Sequence, residues 1–180
     1  MARKADWKQF QEAERLGCES GHYAIASAQK GSGAVLVAAL AQDLLGYAQS
    51  KFDAGEYSFA VVLAQAACDL HTEMTLRELL AGRKQEDLSD AILSMTRFIN
   101  LGADPVRNLY TALTGDDPAR STWWPAWRSA RRRRDDVAHR GDLVSAQHAR
   151  EDLVASSSYI HHLATTLRAV AGEEKARAPK

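Results

Sequence analysis

Residues 127–141 read Trp127-Arg128-Ser129-Ala130-Arg131-Arg132-Arg133-Arg134-Asp135-Asp136-Val137-Ala138-His139-Arg140-Gly141. Drawn at about 100° per residue, this stretch makes a helix whose apolar stripe runs through Trp127, Ala130, Val137 and Ala138. Arg134 stands in the middle of that stripe. An unpartnered charge on a packing face costs too much to persist, so Arg134 requires a carboxylate, a phosphate or a wet interface. Asp135 and His139 are four residues apart and share the adjoining face. With Arg131 lying between them and Arg134, one flank of a single helix is expected to present Arg131, Arg134, Asp135 and His139 together.

Outward from this helix the chain reads as helix throughout. Trp123-Trp124-Pro125-Ala126-Trp127 opens it, with Pro125 near its first turn, and the three tryptophans form an anchor that packs on other helices or, alternatively, lines a groove. Beyond Gly141, Ser145 is the N-cap of a last helix to about Ala171, whose inward residues are Leu153, Ile160, Leu163, Leu167 and Val170. Upstream, Asp104 as N-cap and Pro105 at the first helical position start a helix that ends at Gly115. A helix over Leu88–Asn100 precedes it, with Leu88, Ile92, Met95 and Ile99 inward.

Two long helices come before these. The first, Ala34–Phe52, places Val37, Leu40, Leu44, Tyr47 and Ala48 on one face. The second, Tyr57–Ala81, does the same with Phe59, Leu63, Ala66, Leu70 and Met74. The tight turn at Gly55 makes the two antiparallel. Ahead of them, Ala5–Leu16 has helical spacing with Trp7, Phe10 and Leu16, and a Gly- and Ser-containing loop follows, with a brief extended piece at Tyr23–Ile25. The expected fold is all-α: an antiparallel helical bundle over residues 34–171, an N-terminal helical extension over 1–33 and a flexible tail over 172–180.

Composition narrows the function classes. The 180 residues carry a formal net charge of zero, so no global electrostatic case for nucleic acid exists. The case is local, because residues 128–140 hold six arginines against two aspartates. Cys18 and Cys68 are the two cysteines. Their separation fits a reducing compartment better than a disulfide scaffold or zinc site. The N-terminus lacks the apolar core of a signal peptide, and no run is long enough to span a bilayer, so a cytoplasmic protein without membrane partners is expected.

Arg134-Asp135-Asp136-Val137-Ala138-His139 resembles the signature of the HEPN superfamily, in which an Arg, a polar residue and, after four intervening residues, a His lie on a long helix of a small α-bundle. The alanine-rich stretch from Gly55 to Ala67 resembles the central helix of that family. Where the commonest pattern has Asn after the Arg, this chain has Asp135. The resemblance implies a metal-independent endoribonuclease, with no cofactor, of a toxin–antitoxin or antiviral defence system. It assigns Arg134 to stabilising charge on the phosphoryl oxygens, His139 to proton transfer and Asp135 to orienting the imidazole. It also implies a homodimer through the Arg134–His139 helix, and a cognate antitoxin or defence-complex subunit as a further partner. Arg128, Arg131, Arg132, Arg133 and Arg140 would hold the RNA backbone through phosphate contacts. Related central helices often bear an acidic residue near the position of Asp69, which is expected to pair with an arginine of the organising helix.

Plainer readings stand beside these. An arginine run is commonly a solvated face, and Asp135 and Asp136 can simply neutralise it. His161 and His162 flank the apolar stripe of the last helix with no carboxylate at ligand spacing. His71 and Glu73, two apart, face different ways. The alternatives to an enzyme are a non-catalytic HEPN module that binds RNA or a protein, and a purely structural helical adaptor.

Overall fold

A left-handed glycine reverses the chain at residue 55, where φ is 79°. That conformation is one an L side chain resists, so Gly55 permits the reversal the sequence predicts. The structure, a computed structural model, describes residues 33–85, 91–92 and 99–177. The expected N-terminal helix, the loop after it and the extended piece at Tyr23–Ile25 lie outside the described residues. Among the described residues the helices run in the order α1 Gly33–Asp53, α2 Tyr57–Gly82, α3 Asp104–Thr114, α4 Trp124–Arg140 and α5 Ala146–Arg177, with a 3-10 turn at Pro118–Arg120 before α4. Among the described residues there is no strand, and the all-α class is as expected. Of the helix expected over Leu88–Asn100, residues 91 and 92 are helical, whereas Ile99 and Asn100 belong to the turn that leads into α3.

The helix ends show which local signals act. Ser145 caps α5, its hydroxyl accepting the His148 amide at 3.2 Å. Glycines in the left-handed region close α3 at Gly115 and α4 at Gly141. Asp104 differs from expectation: it is the first residue of α3 rather than its cap, and Ala103 takes the flanking position without a side-chain hydrogen bond. The Asp104 carboxylate instead accepts from Arg107 at 2.6 Å, one turn along. α5 runs to Arg177, six residues past its expected end at Ala171.

α2 is the central helix, packed against α1, α4 and α5 and, more lightly, α3. Its fully buried positions are Ala60, Val61, Ala64, Ala67, Cys68, Thr72 and Leu76. Phe59, Leu63, Ala66, Leu70 and Met74, expected inward, are only half-buried. The reason is that α2 has neighbours on several sides. Small residues let α4 and α5 come close, and polar ones bond across the seam: Gln65 donates to the Ser156 hydroxyl at 3.2 Å, and Thr72 shares a hydrogen bond with Tyr159. In α1 Ala48 is buried as expected, and the side chains of Val37 and Leu40 lie outside the described residues. Leu45, Ala48 and Phe52 pack against Ala64 and Leu153, while Tyr47 turns outward with 63% of its surface exposed.

The tryptophan anchor forms as expected. Trp127 is fully buried and stacks on Tyr159 with ring centroids 4.6 Å apart, and Trp123 meets the same tyrosine edge-on at 5.4 Å. These contacts fix the N-terminal half of α4 to α5, and with it the direction in which each arginine points.

Candidate functional site

On α4 the buried positions are Trp127, Ala130 and Val137, so the stripe read from sequence is the packing face and Arg134 does stand within it. The Arg134 side chain is 24% exposed and donates to Asp135 at 3.1 Å. Its Nε is buried with no protein partner. The opposite side of the helix carries Arg128, Arg132, Asp135 and His139, spaced four, three and four residues apart, which puts them in one row along the axis. Arg128, Arg132 and His139 are exposed there, and Asp135 is half-buried.

Arg131 lies at the inner edge of that row and contacts Asp69 of α2 at 3.4 Å. The expected pairing of Asp69 with an arginine of this helix is therefore present. Burial pushes the Asp69 carboxyl up to about 6, against the opposing pull of Arg131 and then Arg134. The turn before α3 presses on the same spot. A Cβ on Gly102 would come within 3.3 Å of the Arg131 side chain, and Arg128 reaches the Gly102 carbonyl at 3.5 Å. Two ion pairs, Asp69–Arg131 and Arg134–Asp135, thus stand next to each other from the α2–α4 seam outward, beside the exposed Arg128, Arg132 and His139.

Not every residue singled out in the sequence comes to this place. Arg133 points to the far side of α4, where it grips Asp152 of α5 through Nε at 3.1 and 2.9 Å and through a second guanidinium nitrogen. Asp152 is fully buried. Burial raises its pKa although Arg133 draws it down, whereas for Arg133 the hydrogen bond to Asp152 outweighs burial and raises the pKa. The two shifts have different causes, burial for the carboxyl and the hydrogen bond for the guanidinium. Arg133 therefore serves the fold. Arg140 is 72% exposed and bonds Asp136 at 3.0 Å one turn back. Asp135 faces Arg134, and among the described residues His139 has no hydrogen-bond or ion-pair partner. The expected Asp135–His139 contact is not made within one chain, and Arg134 and His139 lie on different sides of the helix.

A second polar group escaped the sequence. Asp116, in the loop after α3, accepts from Tyr110 at 3.2 Å and pairs with His162 of α5 at 2.6 Å. His162 also packs 5.1 Å from Trp123. Forty-six residues separate the partners, so no local spacing could reveal them. The loop between α3 and α4 is latched by this contact, which is a structural role. Cys68 is likewise structural: burial pushes its thiol up to about 12, so it stays protonated and unreactive. Among the described residues no cluster of three or more His, Cys, Asp or Glu could hold a metal ion, and no helix is long and apolar enough to cross a membrane.

The Asp69 environment makes a prediction about stability. In the unfolded chain this carboxyl titrates near 3.8, and in the fold near 6. Between those values the folded state holds more protons, so this group's contribution falls as pH rises through the window. Asp69→Asn is expected to be more stable than wild type at pH 7.5, by on the order of 1–2 kcal/mol, and about equal at pH 4. Urea unfolding of both proteins at the two pH values checks this. An equal loss of stability at both would show that the Arg131 contact outweighs burial.

Compared with family models, with curated proteins and with solved structures, the chain matches none of them.

Proposed function

We propose that the chain is a metal-independent endoribonuclease of the HEPN kind, acting in a toxin–antitoxin or antiviral setting in the cytoplasm. The observation that carries the reading is Arg134, a guanidinium held in the packing face of α4 with its Nε unpartnered, five residues before an exposed histidine. The exposed part of the Arg134 side chain is suited to contact with phosphoryl oxygens, where charge builds in the reaction, and contact through the buried Nε would require the side chain to shift outward.

In the proposed reaction His139 takes the proton of a ribose 2′-hydroxyl and the 2′-oxygen attacks phosphorus. The bond to the 5′-oxygen breaks, and an acid on the opposite side protonates the leaving oxygen. The products are a 2′,3′-cyclic phosphate and a 5′-hydroxyl. One α4 helix holds one histidine, and Arg134 and His139 diverge around its axis. A homodimer that brings two α4 helices together supplies both an acid and a base, and sets the Arg134 of one copy near the His139 of the other. Arg128 and Arg132, exposed in the same row as His139, hold the RNA backbone. Arg131 and Arg140 border it, each already paired with an aspartate.

The test is incubation of the purified protein with mixed single-stranded and structured RNA in chelator, with the cut ends identified. Cyclic phosphate ends are expected. In the same assay Arg128→Ala with Arg132→Ala should reduce the slope of log affinity against log salt by roughly 1.5–2, because two phosphate contacts are lost. RNA bound in a salt-dependent way but never cut would favour a second reading, a non-catalytic HEPN module that binds RNA or a protein. The lack of any orienting partner for His139 within one chain favours that reading specifically. An adaptor would show no salt-sensitive RNA affinity at all.

A further inference from the structure

Two arginines of the α4 run meet carboxylates on other helices, and the two contacts differ in kind. Arg133 grips Asp152 through two guanidinium nitrogens, and that carboxylate is fully buried. Arg131 meets Asp69 through one nitrogen at 3.4 Å, well beyond the roughly 2.7–2.9 Å of a strong charge-assisted bond. The Asp69 side chain stays 29% exposed and that of Arg131 19%, so neither is sealed in. One contact is a fixed part of the core, and the other can be exchanged.

Arg131 is nevertheless steered inward. The turn before α3 lies against its stem, where a Cβ on Gly102 would stand 3.3 Å from Cδ and 3.4 Å from Nε. Asn100, fully buried, holds that turn by accepting the Gly102 amide at 3.0 Å. On the helix surface Arg131 neighbours Arg128 three residues back and Asp135 four residues on, so its Cα already borders the exposed row. Asp135 is taken by Arg134 at 3.1 Å. Rotation about the bonds of the long Arg131 stem would carry its guanidinium from Asp69 to a place beside Arg128.

We propose that Asp69 masks Arg131, holding its guanidinium against α2, and that lifting the mask adds one phosphate contact to the row of Arg128 and Arg132. The proposal rests on the RNA reading above and adds a control to the same surface. The charge of Asp69 sets the mask. The groups facing it are Arg131, Arg134 and Asp135 on α4, Cys68 beside it on α2 and Tyr159 on α5, while the turn at Asn100–Gly102 brings no charge. Burial pushes Cys68 up to about 12 and Tyr159 well above its usual value, so both stay protonated between pH 5 and pH 7.5. Burial also lifts the Asp69 carboxyl to about 6. Below that pH the carboxyl is neutral and no ion pair holds Arg131, whereas above it the pair forms. Contact with RNA through Arg131 is therefore favoured as pH falls.

Binding of a mixed-sequence 2′-O-methyl RNA strand tests it, because the blocked 2′-oxygen prevents cleavage and leaves the phosphates unchanged. Wild type, Asp69→Asn, Arg131→Ala and the double variant are compared by filter binding over a range of salt. At pH 7.5 Asp69→Asn is expected to steepen the fall of log affinity with log salt by about 0.7, one added phosphate on a single strand. Arg131→Ala alone should change the slope by less than about 0.2, and with Arg131 absent Asp69→Asn should add nothing. At pH 5 wild type should match Asp69→Asn, since the histidines titrate alike in both. Salt-independent binding by wild type overturns the RNA reading and this proposal with it. Salt-dependent binding whose slope Asp69→Asn leaves unchanged overturns the proposal alone. So does an equal rise with Arg131 absent, the mark of a general effect of losing a negative charge, and so does a difference between wild type and Asp69→Asn that persists at pH 5.

Discussion

Arg133→Ala is expected to cost about 3–5 kcal/mol of stability, while Arg132→Ala, one residue earlier in the same arginine run, changes it by less than about 0.5 kcal/mol. The difference follows from what each side chain touches. Arg132 is exposed and has no hydrogen bond or ion pair among the described residues to lose. Arg133 neutralises Asp152, whose side chain is 1% exposed between α4 and α5. Removing the guanidinium strands a carboxylate in a site that water does not reach, and the protein must bury the charge, protonate it or open the seam. The reverse change is milder. Asp152→Ala leaves Arg133, 27% exposed, free to turn toward solvent, and about 1–2 kcal/mol is expected. Replacing both residues by apolar ones of similar volume should recover most of the loss. Urea unfolding of the four variants reads this directly. Equal effects of Arg133→Ala and Arg132→Ala would mean that the pair holds nothing together.

His139→Ala is expected to lower RNA cleavage by about 10²–10⁴-fold with folding and RNA affinity nearly unchanged. The histidine is exposed in the last turn of α4 and makes no hydrogen bond or ion pair among the described residues, so little stability depends on it. In the proposed reaction its removal would delete proton transfer and leave the phosphate contacts proposed for Arg128 and Arg132 in place. Single-turnover cleavage in chelator and filter binding with the same RNA separate the two effects. Parallel loss of cleavage and binding would make the histidine a binding residue, and unchanged cleavage would remove it from the mechanism. Because the acid and base would come from two copies, mixing wild type with an excess of His139→Ala protein should lower activity more than dilution alone, since a mixed dimer keeps only one of the two histidines.

The tertiary structure reassigns residues that look equivalent in sequence. Arg131, Arg132, Arg133 and Arg134 are consecutive arginines, and their bare order says only that they point in four directions 100° apart. Which direction meets a carboxylate depends on Asp69 and Asp152, 62 and 19 residues away. α2 shows the same limit in its core. Aliphatic periodicity selects Phe59, Leu63, Leu70 and Met74, but the deepest seam belongs to Ala64, Cys68 and Thr72, because close approach and a bond to Tyr159 matter there more than side-chain size. Tyr47 carries the apolar period of α1 and is nevertheless turned out, since the helix settles on the row that fits Ala64 and Leu153.

Alone, the sequence determined the helical class, the boundaries of α1, α2 and α4 to within a residue or two, the glycine stops, the Ser145 cap, the tryptophan anchor and the position of Arg134 on a packing face. These are properties of local backbone energetics and of a 3.6-residue period, and a short window contains them. Only the tertiary structure decided that Arg133 is spent on Asp152, that Asp135 faces Arg134 rather than His139, and that Asp116 latches His162. Ion pairs and polar seams join helices that are distant in the chain. Their partners are chosen by how far each helix rotates to close-pack its small residues, and no local stretch encodes that rotation.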